Sequence, residues 1–252
     1  MNIVYVSPYS HNGFASVQRD DRKWNFMDKD GNILSPNQWF KWIGIFYNGF
    51  ARVQREDDQW NYIDEKGKIL FPNMCFKSID FFLNGFHRVQ RKDNLWNIID
   101  KQGNIISPNM WYSYVFPFYN GFAPVKREDG KWNIIDTKGN IISPNMWLTS
   151  VGKFHFGFAY IQREDELWNF IDINGNILSP NMWFKAVDNF HNGCAPVQRE
   201  DKKWNIIDKK GNIISPKVWF DDTDTYITPF KAFIKNELYY FDKNYKPHKY
   251  IL

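Results

Sequence analysis

Apolar and polar side chains alternate in short runs along this chain, and one stretch shows the full pattern. Residues 85–91 read GFHRVQR, in which apolar and polar positions alternate as in a half-buried β-strand. After a polar break, residues 95–100 read LWNIID, which is rich in the β-branched and aromatic residues that strands favour. A third run, NIIS at residues 104–107, stops at Pro108, which cannot donate a ladder hydrogen bond. The pattern predicts a small antiparallel meander of three strands.

The link between the second and third runs predicts a hairpin turn. The carboxylate of Asp100 can accept hydrogen bonds from backbone amides two residues further on, and Gly103 supplies the positive φ that closes a short loop. The aromatic stretch at residues 109–120 fits an outer strand, a covering loop, or part of each. Because no run has a helical apolar period of adequate length, we expect an all-β fold.

This meander returns every 36 residues. Tryptophan, glycine and proline positions keep the interval until the last part of the chain. They are Trp24, Trp60, Trp96, Trp132, Trp168 and Trp204; Gly13, Gly49, Gly85, Gly121, Gly157 and Gly193; Gly31, Gly67, Gly103, Gly139, Gly175 and Gly211; and Pro36, Pro72, Pro108, Pro144, Pro180 and Pro216. Series that stay in register in this way establish a tandem repeat.

One meander cannot bury both of its faces, so the repeats must stack side by side. Residues 1–12 match the late aromatic stretch of a repeat, and residues 220–252 contain runs that match its three strands. The sequence therefore predicts a single repeat domain over residues 1–252, with about six full repeats and a seventh shared between residues 1–12 and 220–252. A closed, seven-bladed propeller-like ring completed by both termini would need such sharing. The alternative is an open β-solenoid or superhelix whose irregular ends cap the array.

Composition narrows the class of protein. Aromatic residues make up 19% of the chain, too many for a disordered segment, and the mean hydropathy of −0.56 is too polar for a membrane protein. No apolar run approaches the roughly 18 residues that span a bilayer, and the first residues do not resemble a signal peptide. We therefore expect a soluble, cytoplasmic protein with no membrane insertion. The net charge of +4 is small and evenly spread, which argues against nucleic acid as a partner.

The sequence offers no catalytic or metal-binding pattern. No histidine pair has the spacing of a zinc helix, and there is no CxxC pair, phosphate-binding loop or dinucleotide-binding glycine motif. The Glu-Asp pairs, such as Glu128-Asp129, fall at hairpin turns, where acidic residues are ordinary. The histidines are interpreted as residues of surface turns: His11, His87, His155, His191 and His248. We expect no cofactor, no metal and no enzymatic activity.

The recurring residues resemble those of a known family. The repeat reads G-F-A-x-V, a short turn, W-N-x-I-D, x-x-G-x-I and a closing proline. One full example is carried by Gly121, Ala123, Val125, Trp132, Ile135, Asp136, Gly139, Ile141 and Pro144. This pattern is similar to that of the bacterial WG-repeat proteins over about residues 10–220 and, more weakly, in the tail. The resemblance implies a β-rich array used for interactions, without a shared chemistry.

The chain departs from the family pattern at the residue after each tryptophan of the first series. Asparagine stands there in place of glycine: Asn25, Asn61, Asn97, Asn133, Asn169 and Asn205. An amide side chain can hydrogen-bond, so we expect the local packing to differ from that of family members.

Two further series are the candidate binding residues. A second tryptophan series follows the proline turn and offers rings to a carbohydrate or peptide, or packs at a seam between repeats: Trp39, Trp111, Trp147, Trp183 and Trp219. An arginine series forms a possible polar stripe: Arg19, Arg55, Arg91, Arg127, Arg163 and Arg199. Neighbouring acidic residues are expected to neutralise most of its charge.

The sequence thus predicts a non-catalytic binding scaffold that presents a repetitive surface for protein–protein interaction. The alternative is a multivalent lectin-like glycan binder with one shallow aromatic site per repeat, in which many weak sites add up. Nucleic-acid binding through the arginine stripe ranks last, because the neighbouring acids oppose it.

Overall fold

The computed structural model describes residues 2–80, 85–224, 231–235, 237–241 and 247–250. The chain divides into two compact bodies, Met1–Pro117 and Phe118–Leu252, which are treated separately here as the first and the second body. Every regular element among the described residues is a β-strand, which confirms the all-β prediction. The single repeat domain over residues 1–252 stays a prediction.

Three sheets of three antiparallel strands form the first body, and one short strand follows them. The strands are β1 (Ile3–Val6), β2 (Ala15–Arg19) and β3 (Trp24–Met27); β4 (Trp42–Ile43), β5 (Phe50–Gln54) and β6 (Trp60–Asp64); β7 (Ser78–Ile79), β8 (Phe86–Gln90) and β9 (Trp96–Asp100); and then β10 (Tyr114–Val115).

The second body continues the same pattern. It contains the hairpin of β11 (Phe122–Lys126) and β12 (Trp132–Asp136); the sheet of β13 (Ser150–Val151), β14 (Phe158–Gln162) and β15 (Trp168–Asp172); the sheet of β16 (Ala186–Val187), β17 (Cys194–Gln198) and β18 (Trp204–Asp208); and the sheet of β19 (Asp222–Asp224), β20 (Lys231–Ile234), β21 (Glu237–Phe241) and β22 (Pro247–Lys249). The predicted repeat of small meanders is confirmed.

The strands of each meander differ in one respect from the predicted set. The first two predicted runs form the hairpin, as in β8 and β9, but the third run contributes only a single bridge between Ile99 and Ile105. The third strand of the sheet comes instead from the aromatic stretch and pairs on the other side of the hairpin, as β7 does with β8. Beyond this bridge the Asn97 side chain replaces ladder bonds, because its Oδ1 accepts from the amide of Ile98 at 2.8 Å and its Nδ2 donates to the carbonyl of Ser107 at 2.7 Å.

The chain ends follow the same scheme. β1 pairs with β2 in the first sheet, where Val6 lies opposite Val17. The three tail runs that match a repeat form β20, β21 and β22, although Asn236 and residues 242–246 and 251–252 fall outside the described residues. The sharing of a seventh repeat between residues 1–12 and 220–252, and the closure of a ring, stay predictions.

The core lies between successive sheets and is built from alternate strand residues. In the first body, Ala51 and Val53 of β5 point inward and pack with Phe40 and with Phe26 of the preceding sheet. All four side chains are buried. This period of two places small residues on the central strand and large rings on its neighbours, so the sheets can approach closely.

In several repeats a glycine turn limits how close that approach can be. Gly67 has a φ of +80° and closes the Asp64 turn, and a Cβ at this position would lie 1.9 Å from the carbonyl oxygen of Leu34 in the preceding repeat. In the second body, Gly211 stands in the same relation to Leu178. Glycine is therefore required here both for the positive φ and for the contact between repeats.

Candidate functional site

The second tryptophan series lies half-buried beneath the arginine series. Arg163 places its guanidinium carbon 4.0 Å from the ring centroid of Trp183, and the other four pairs have distances of 4.1 to 4.4 Å. The pairs are Arg19–Trp39, Arg91–Trp111, Arg127–Trp147, Arg163–Trp183 and Arg199–Trp219. The structure thus brings together the two residue series that the sequence analysis proposed separately, and their role in binding stays a prediction.

Each of these arginines also forms an ion pair with an aspartate two residues along the chain. The guanidinium of Arg19 lies 2.5 Å from a carboxylate oxygen of Asp21, and Arg163 pairs with Asp165 in the same way. The hydrogen bond from the arginine side chain holds the pKa of each of these two aspartates below its usual range. The arginine is therefore held between an acid and an aromatic ring, and the cluster is close to neutral.

One repeat departs from this arrangement. Arg55 lies beside Cys75, which stands where the other repeats carry tryptophan, and its Nη1 is 3.3 Å from the cysteine Sγ. Neither Cys75 nor the buried Cys194 forms a disulfide bond.

An apolar side chain precedes the tryptophan in four repeats; it is exposed at Met110, Met182 and Val218 and half-buried at Met146. Met110 is 39% exposed and Met182 is 42% exposed. With the half-buried ring and the arginine, each such side chain forms a patch, which we name the Met–Trp–Arg patch. Its members in the first body are Met110, Trp111 and Arg91, and in the second body Met146, Trp147 and Arg127; Met182, Trp183 and Arg163; and Val218, Trp219 and Arg199.

The asparagine that replaces the family glycine organises the turn behind this patch. Asn97 is fully buried, and its amide donates to the carbonyls of Ser107 at 2.7 Å and Met110 at 3.0 Å. Its Oδ1 accepts from the amide of Ile98 at 2.8 Å. The other five asparagines of the series make the corresponding bonds. The expected change in local packing is therefore a side chain that fixes the proline turn, and with it the neighbouring methionine.

A second feature lies in the first body. A cavity of about 680 Å³ opens there and is lined by residues of its three sheets and their connections. The lining consists of aromatic and aliphatic side chains, small residues and polar residues: Tyr5, Trp24, Trp42, Ile43, Ile45, Tyr47 and Phe50; Ser7, Ser16 and Gly44; and Arg52, Tyr62 and His87.

Small residues create the open volume. Ser16 on β2 lies where later repeats carry larger residues, such as Arg88 and Tyr160. Ser7 lies beside it, and its hydroxyl accepts a hydrogen bond from the Ser16 amide at 2.9 Å. Gly44 leaves room on the other side, because a Cβ there would meet the Trp42 ring at 3.3 Å. Serine and glycine therefore leave space between rings that would otherwise be filled.

Arg52 of β5 carries the charge in the cavity lining. Its guanidinium carbon lies 5.8 Å from the ring centroid of Trp42 and 5.6 Å from that of Trp60. Its Nη1 donates to the carbonyl of Ile79 at 3.1 Å. These contacts orient the guanidinium.

Tyr62 and His87 lie side by side at the buried end of the cavity. Nδ1 of His87 contacts the Tyr62 hydroxyl, which also donates to the carbonyl of Asp80 at 3.1 Å. Burial lowers the pKa of His87 to about 4 and raises the pKa of Tyr62 far above its usual range. Both side chains are therefore uncharged near neutral pH.

The interpretation of His87 as a surface-turn residue was wrong. It lies on β8 and is only 5% exposed, because its place in the repeat is a core position. The signal was present in the sequence. The residue stands in a position that the other repeats fill with alanine: Ala15, Ala51, Ala123, Ala159 and Ala195. Comparing the repeats position by position for residues that differ, and not only for residues that recur, would have identified His87.

The described residues contain no group of three His, Cys, Asp or Glu side chains that could hold a metal ion. Nothing in the described part of the chain forms a helix that could cross a membrane.

Solved structures with a similar course of the chain are distant in sequence. They include the computationally designed Ika8 protein, at 12% identity and a TM-score of 0.35, with 100% of this chain and 84% of that chain covered. BamB from Moraxella catarrhalis has 11% identity and a TM-score of 0.32, with 95% and 80% covered. The WD40 beta propeller domain of Doa1 has 12% identity and a TM-score of 0.29, with 91% and 86% covered. Scores this low carry no argument about closure or function. Among proteins of curated function, none matches the sequence.

The repeat itself matches a family. A family profile described as a WG containing repeat matches residues 24–60, 98–132 and 168–204, and each match is about one repeat long. The matched segments begin at or just after tryptophans of the first series and include the Asp-x-x-Gly turn. With the recurring residues and the meanders that they form, these three matches show that the chain carries WG-containing repeats.

Proposed function

We propose that this chain is a non-catalytic binding scaffold whose repeats present the Met–Trp–Arg patch to a protein partner. The observation that carries the proposal is the recurrence of the stacked arginine and tryptophan, 4.0 to 4.3 Å apart, beside an apolar side chain in three repeats of the second body. Methionine, tryptophan and arginine are enriched at the centres of protein interfaces. Equivalent patches at a fixed interval would let a partner with several contact points bind with a gain in avidity.

The electrostatics of the patch favour a protein over a nucleic acid. Arg127 is paired with Asp129, and Arg199 with Asp201. Because each arginine charge is matched by a carboxylate, the stripe lacks the net positive charge that phosphate backbones require.

The geometry of the tryptophan rings favours a protein over a glycan. A sugar binds an aromatic residue by lying over its ring face, but at Trp147 the arginine guanidinium already lies 4.1 Å from the ring centroid. A sugar would have to displace that arginine and break its ion pair. The lectin-like alternative therefore receives less support, and a glycan array tests it directly.

The experiment is affinity capture from the native host with the full chain immobilised in four forms. These are the wild type, Met110→Glu, Met182→Glu and the double variant. A matched control, Gln102→Glu, adds the same charge at an exposed turn residue away from the patch. We expect one partner with the wild type and the control, less with each single variant, and almost none with the double variant, because charged residues are disfavoured in interface cores.

Two results would count against this function. One is equal recovery of the partner by the double variant and the control, which would place the interface elsewhere. The other is binding on a glycan array that is lost in Trp147→Ala, which would favour the lectin-like alternative.

A further inference from the structure

We propose that a pocket beside Cys75 binds one aromatic side chain of the protein partner. Cys75 stands at a position that carries tryptophan in five other repeats: Trp39, Trp111, Trp147, Trp183 and Trp219. Its repeat, which begins at Gly49, retains the arginine Arg55 and the exposed methionine Met74. It therefore has two members of the Met–Trp–Arg patch and lacks the ring. The partner as the source of the ring rests on the proposed function, whereas the pocket itself does not.

The pocket, which we name the Cys75 pocket, has the size of a small ring. Its volume is about 120 Å³, and its lining residues are Gln38, Phe40, Arg55, Asn61, Ile69 and Pro72. Cys75 lies beside this lining, because its Sγ is 3.3 Å from Nη1 of Arg55 and 3.6 Å from Nδ2 of Asn61. An engineered apolar cavity of about 150 Å³ binds benzene, so the Cys75 pocket can accept one six-membered ring.

The repeats that retain the tryptophan show where the ring would lie. Trp183 packs against the core cluster that contains Leu148, and Ile177 packs against the same cluster. Phe40 and Ile69, which line the Cys75 pocket, stand at the positions of these two residues in the repeat pattern. The Cys75 pocket therefore occupies the place that an indole ring fills in the other repeats. Apolar walls without a neighbour lose dispersion contacts, which a ring entering the pocket would restore.

Arg55 favours an aromatic ring over an aliphatic side chain. In the five repeats with tryptophan, the arginine at this position lies 4.0 to 4.4 Å from the ring centroid. A guanidinium is attracted to the electron-rich face of a ring, and an alkyl group offers no such face. Nε of Arg55 also lies 3.5 Å from a carboxylate oxygen of Asp57, so the pocket requires no opposite charge from the group that binds.

The surroundings of the pocket favour a protein side chain as the source of the ring. Met74 is 37% exposed, and its carbonyl accepts from Asn61 at 3.0 Å, as the carbonyl of Met110 does from Asn97. The tryptophans of the other repeats are half-buried, so a ring in this place keeps one edge at the surface, where a partner chain can carry it. An aromatic anchor in a pocket is typical of protein interfaces. Because the other patches are alike, one pocket that differs would fix which repeat each part of the partner contacts.

The pocket is tested by an NMR titration of the full chain with indole, read at the side-chain amides of the asparagine series. Asn61 lines the pocket, so its signal should shift in the wild type with a Kd below about 1 mM. The other five asparagines of the series should not shift, because tryptophan fills the equivalent place beside them. Cys75→Trp, which introduces the residue of the other repeats, should abolish the shift of Asn61. A signal from Asn61 also separates this pocket from the larger cavity of the first body.

The reverse variant, Trp183→Cys, should create a second pocket of the same kind in the second body. We expect indole to shift the signal of Asn169, the counterpart of Asn61, in this variant and not in the wild type. The pocket is overturned if Asn61 of the wild type shows no Kd below about 1 mM, or if its shift is the same in Cys75→Trp. It is equally overturned if Trp183→Cys keeps the wild-type spectrum elsewhere and indole leaves Asn169 unshifted.

The source of the ring is tested by affinity capture from the native host. Cys75→Trp should recover at least about tenfold less partner than the wild type, because its own ring fills the pocket. The matched control is Cys75→Ser, which leaves the pocket open and should recover as much as the wild type. Equal recovery by the two variants overturns the partner as the source of the ring, and the methionine variants then decide the proposed function separately. If the wild type recovers no partner, the proposed function and this source of the ring both fail, and the indole titration alone decides the pocket.

Discussion

The substitution Asn97→Ala provides a quantitative test of the way the repeat is held together. Asn97 is fully buried, and its amide donates to two carbonyls, those of Ser107 and Met110. Its Oδ1 accepts from two amides, those of Ile98 at 2.8 Å and Ser107 at 3.3 Å. Alanine removes all four bonds and supplies no replacement. Two carbonyl oxygens and two N–H groups are left without this partner in the interior.

The expected loss of unfolding free energy is about 3 kcal/mol. A buried polar group left unsatisfied costs about 1–3 kcal/mol, and a hydrogen bond contributes about 1 kcal/mol net. Water that enters the space left by the amide would satisfy part of the four groups and keep the total below the simple sum. Ser107 is only 6% exposed, so such water would have to be ordered and not bulk solvent.

The assay is urea unfolding followed by tryptophan fluorescence, with the midpoint and the slope reported separately. The matched control is Asn104→Ala in the same repeat. Asn104 is exposed, and its amide makes one bond to the Asp100 carboxylate at 2.9 Å. Its loss should cost less than about 1 kcal/mol. If Asn97→Ala costs no more than this control at an unchanged slope, the asparagine series is not what fixes the proline turns, and the reasoning fails.

Three further variants test other parts of the structure. His87→Ala should remove a pH dependence. The pKa of His87 falls through burial from 6.5 to about 4, so the unfolded chain takes up a proton first, and about 3 kcal/mol of stability is lost as the pH falls from about 6.5 to 4. The measurement is the urea midpoint of both proteins between pH 6.5 and 4, and an equal decrease in wild type and variant would contradict this prediction. Gly211→Ala should cost at least about 2 kcal/mol more than Gly121→Ala, because the two glycines have φ values of +83° and +84° but only the first meets a backbone oxygen, at 2.2 Å. Equal decreases in melting temperature for the two variants would show that the backbone at the contact between repeats accommodates the added methyl group at little cost. Arg163→Gln should raise the pKa of Asp165 toward 3.8, since the Arg163 hydrogen bond is the main cause of its lowering. A carboxyl NMR titration measures this pKa, and an unchanged value would contradict the pairing.

The sequence could predict those elements of the fold that depend on residues close to one another along the chain. The alternation in residues 86–90 and the β-branched run in 96–100 gave the hairpin, because strand pairing there depends on side chains close in sequence. The Asp100 turn followed from one carboxylate, which accepts from the amides of Gln102 and Asn104 at 2.9 and 2.8 Å.

The order of the strands in each sheet could not be predicted in the same way. The run at 104–107 and the aromatic stretch were both candidates for the third strand, and the contacts that Asn97 makes 10 and 13 residues away along the chain do not show in the local pattern. A side chain that replaces a ladder bond leaves no trace in the local alternation of apolar and polar residues. The asparagine in place of the family glycine indicated where the local packing would differ, but not which hydrogen bonds the side chain would make.

The cavity was missed for a different reason. A repeat is recognised by averaging over its copies, and averaging hides residues that occur once at their position, such as Trp42 and His87. The volume itself also depends on which residues are small, namely Ser16 and Gly44, and small residues attract no attention in a search for chemical groups. The recurring tryptophans and arginines, by contrast, were found in sequence, although their stacking was not foreseen.

Each sheet combines strands from two successive sequence repeats, and this arrangement affects how the number of repeats in such a chain can change. Each three-stranded sheet takes its edge strand from the stretch before the glycine that opens the next repeat, as β4 does for β5 and β13 does for β14, with the same register in both cases. A deletion or duplication of 36 residues therefore restores the same pairing wherever it begins, because every strand meets a partner equivalent to the one it lost. Unequal recombination between near-identical gene segments needs no particular breakpoint to yield a chain that can fold. Array length can then change in a single genetic event, whereas residues such as His87 must be acquired one at a time.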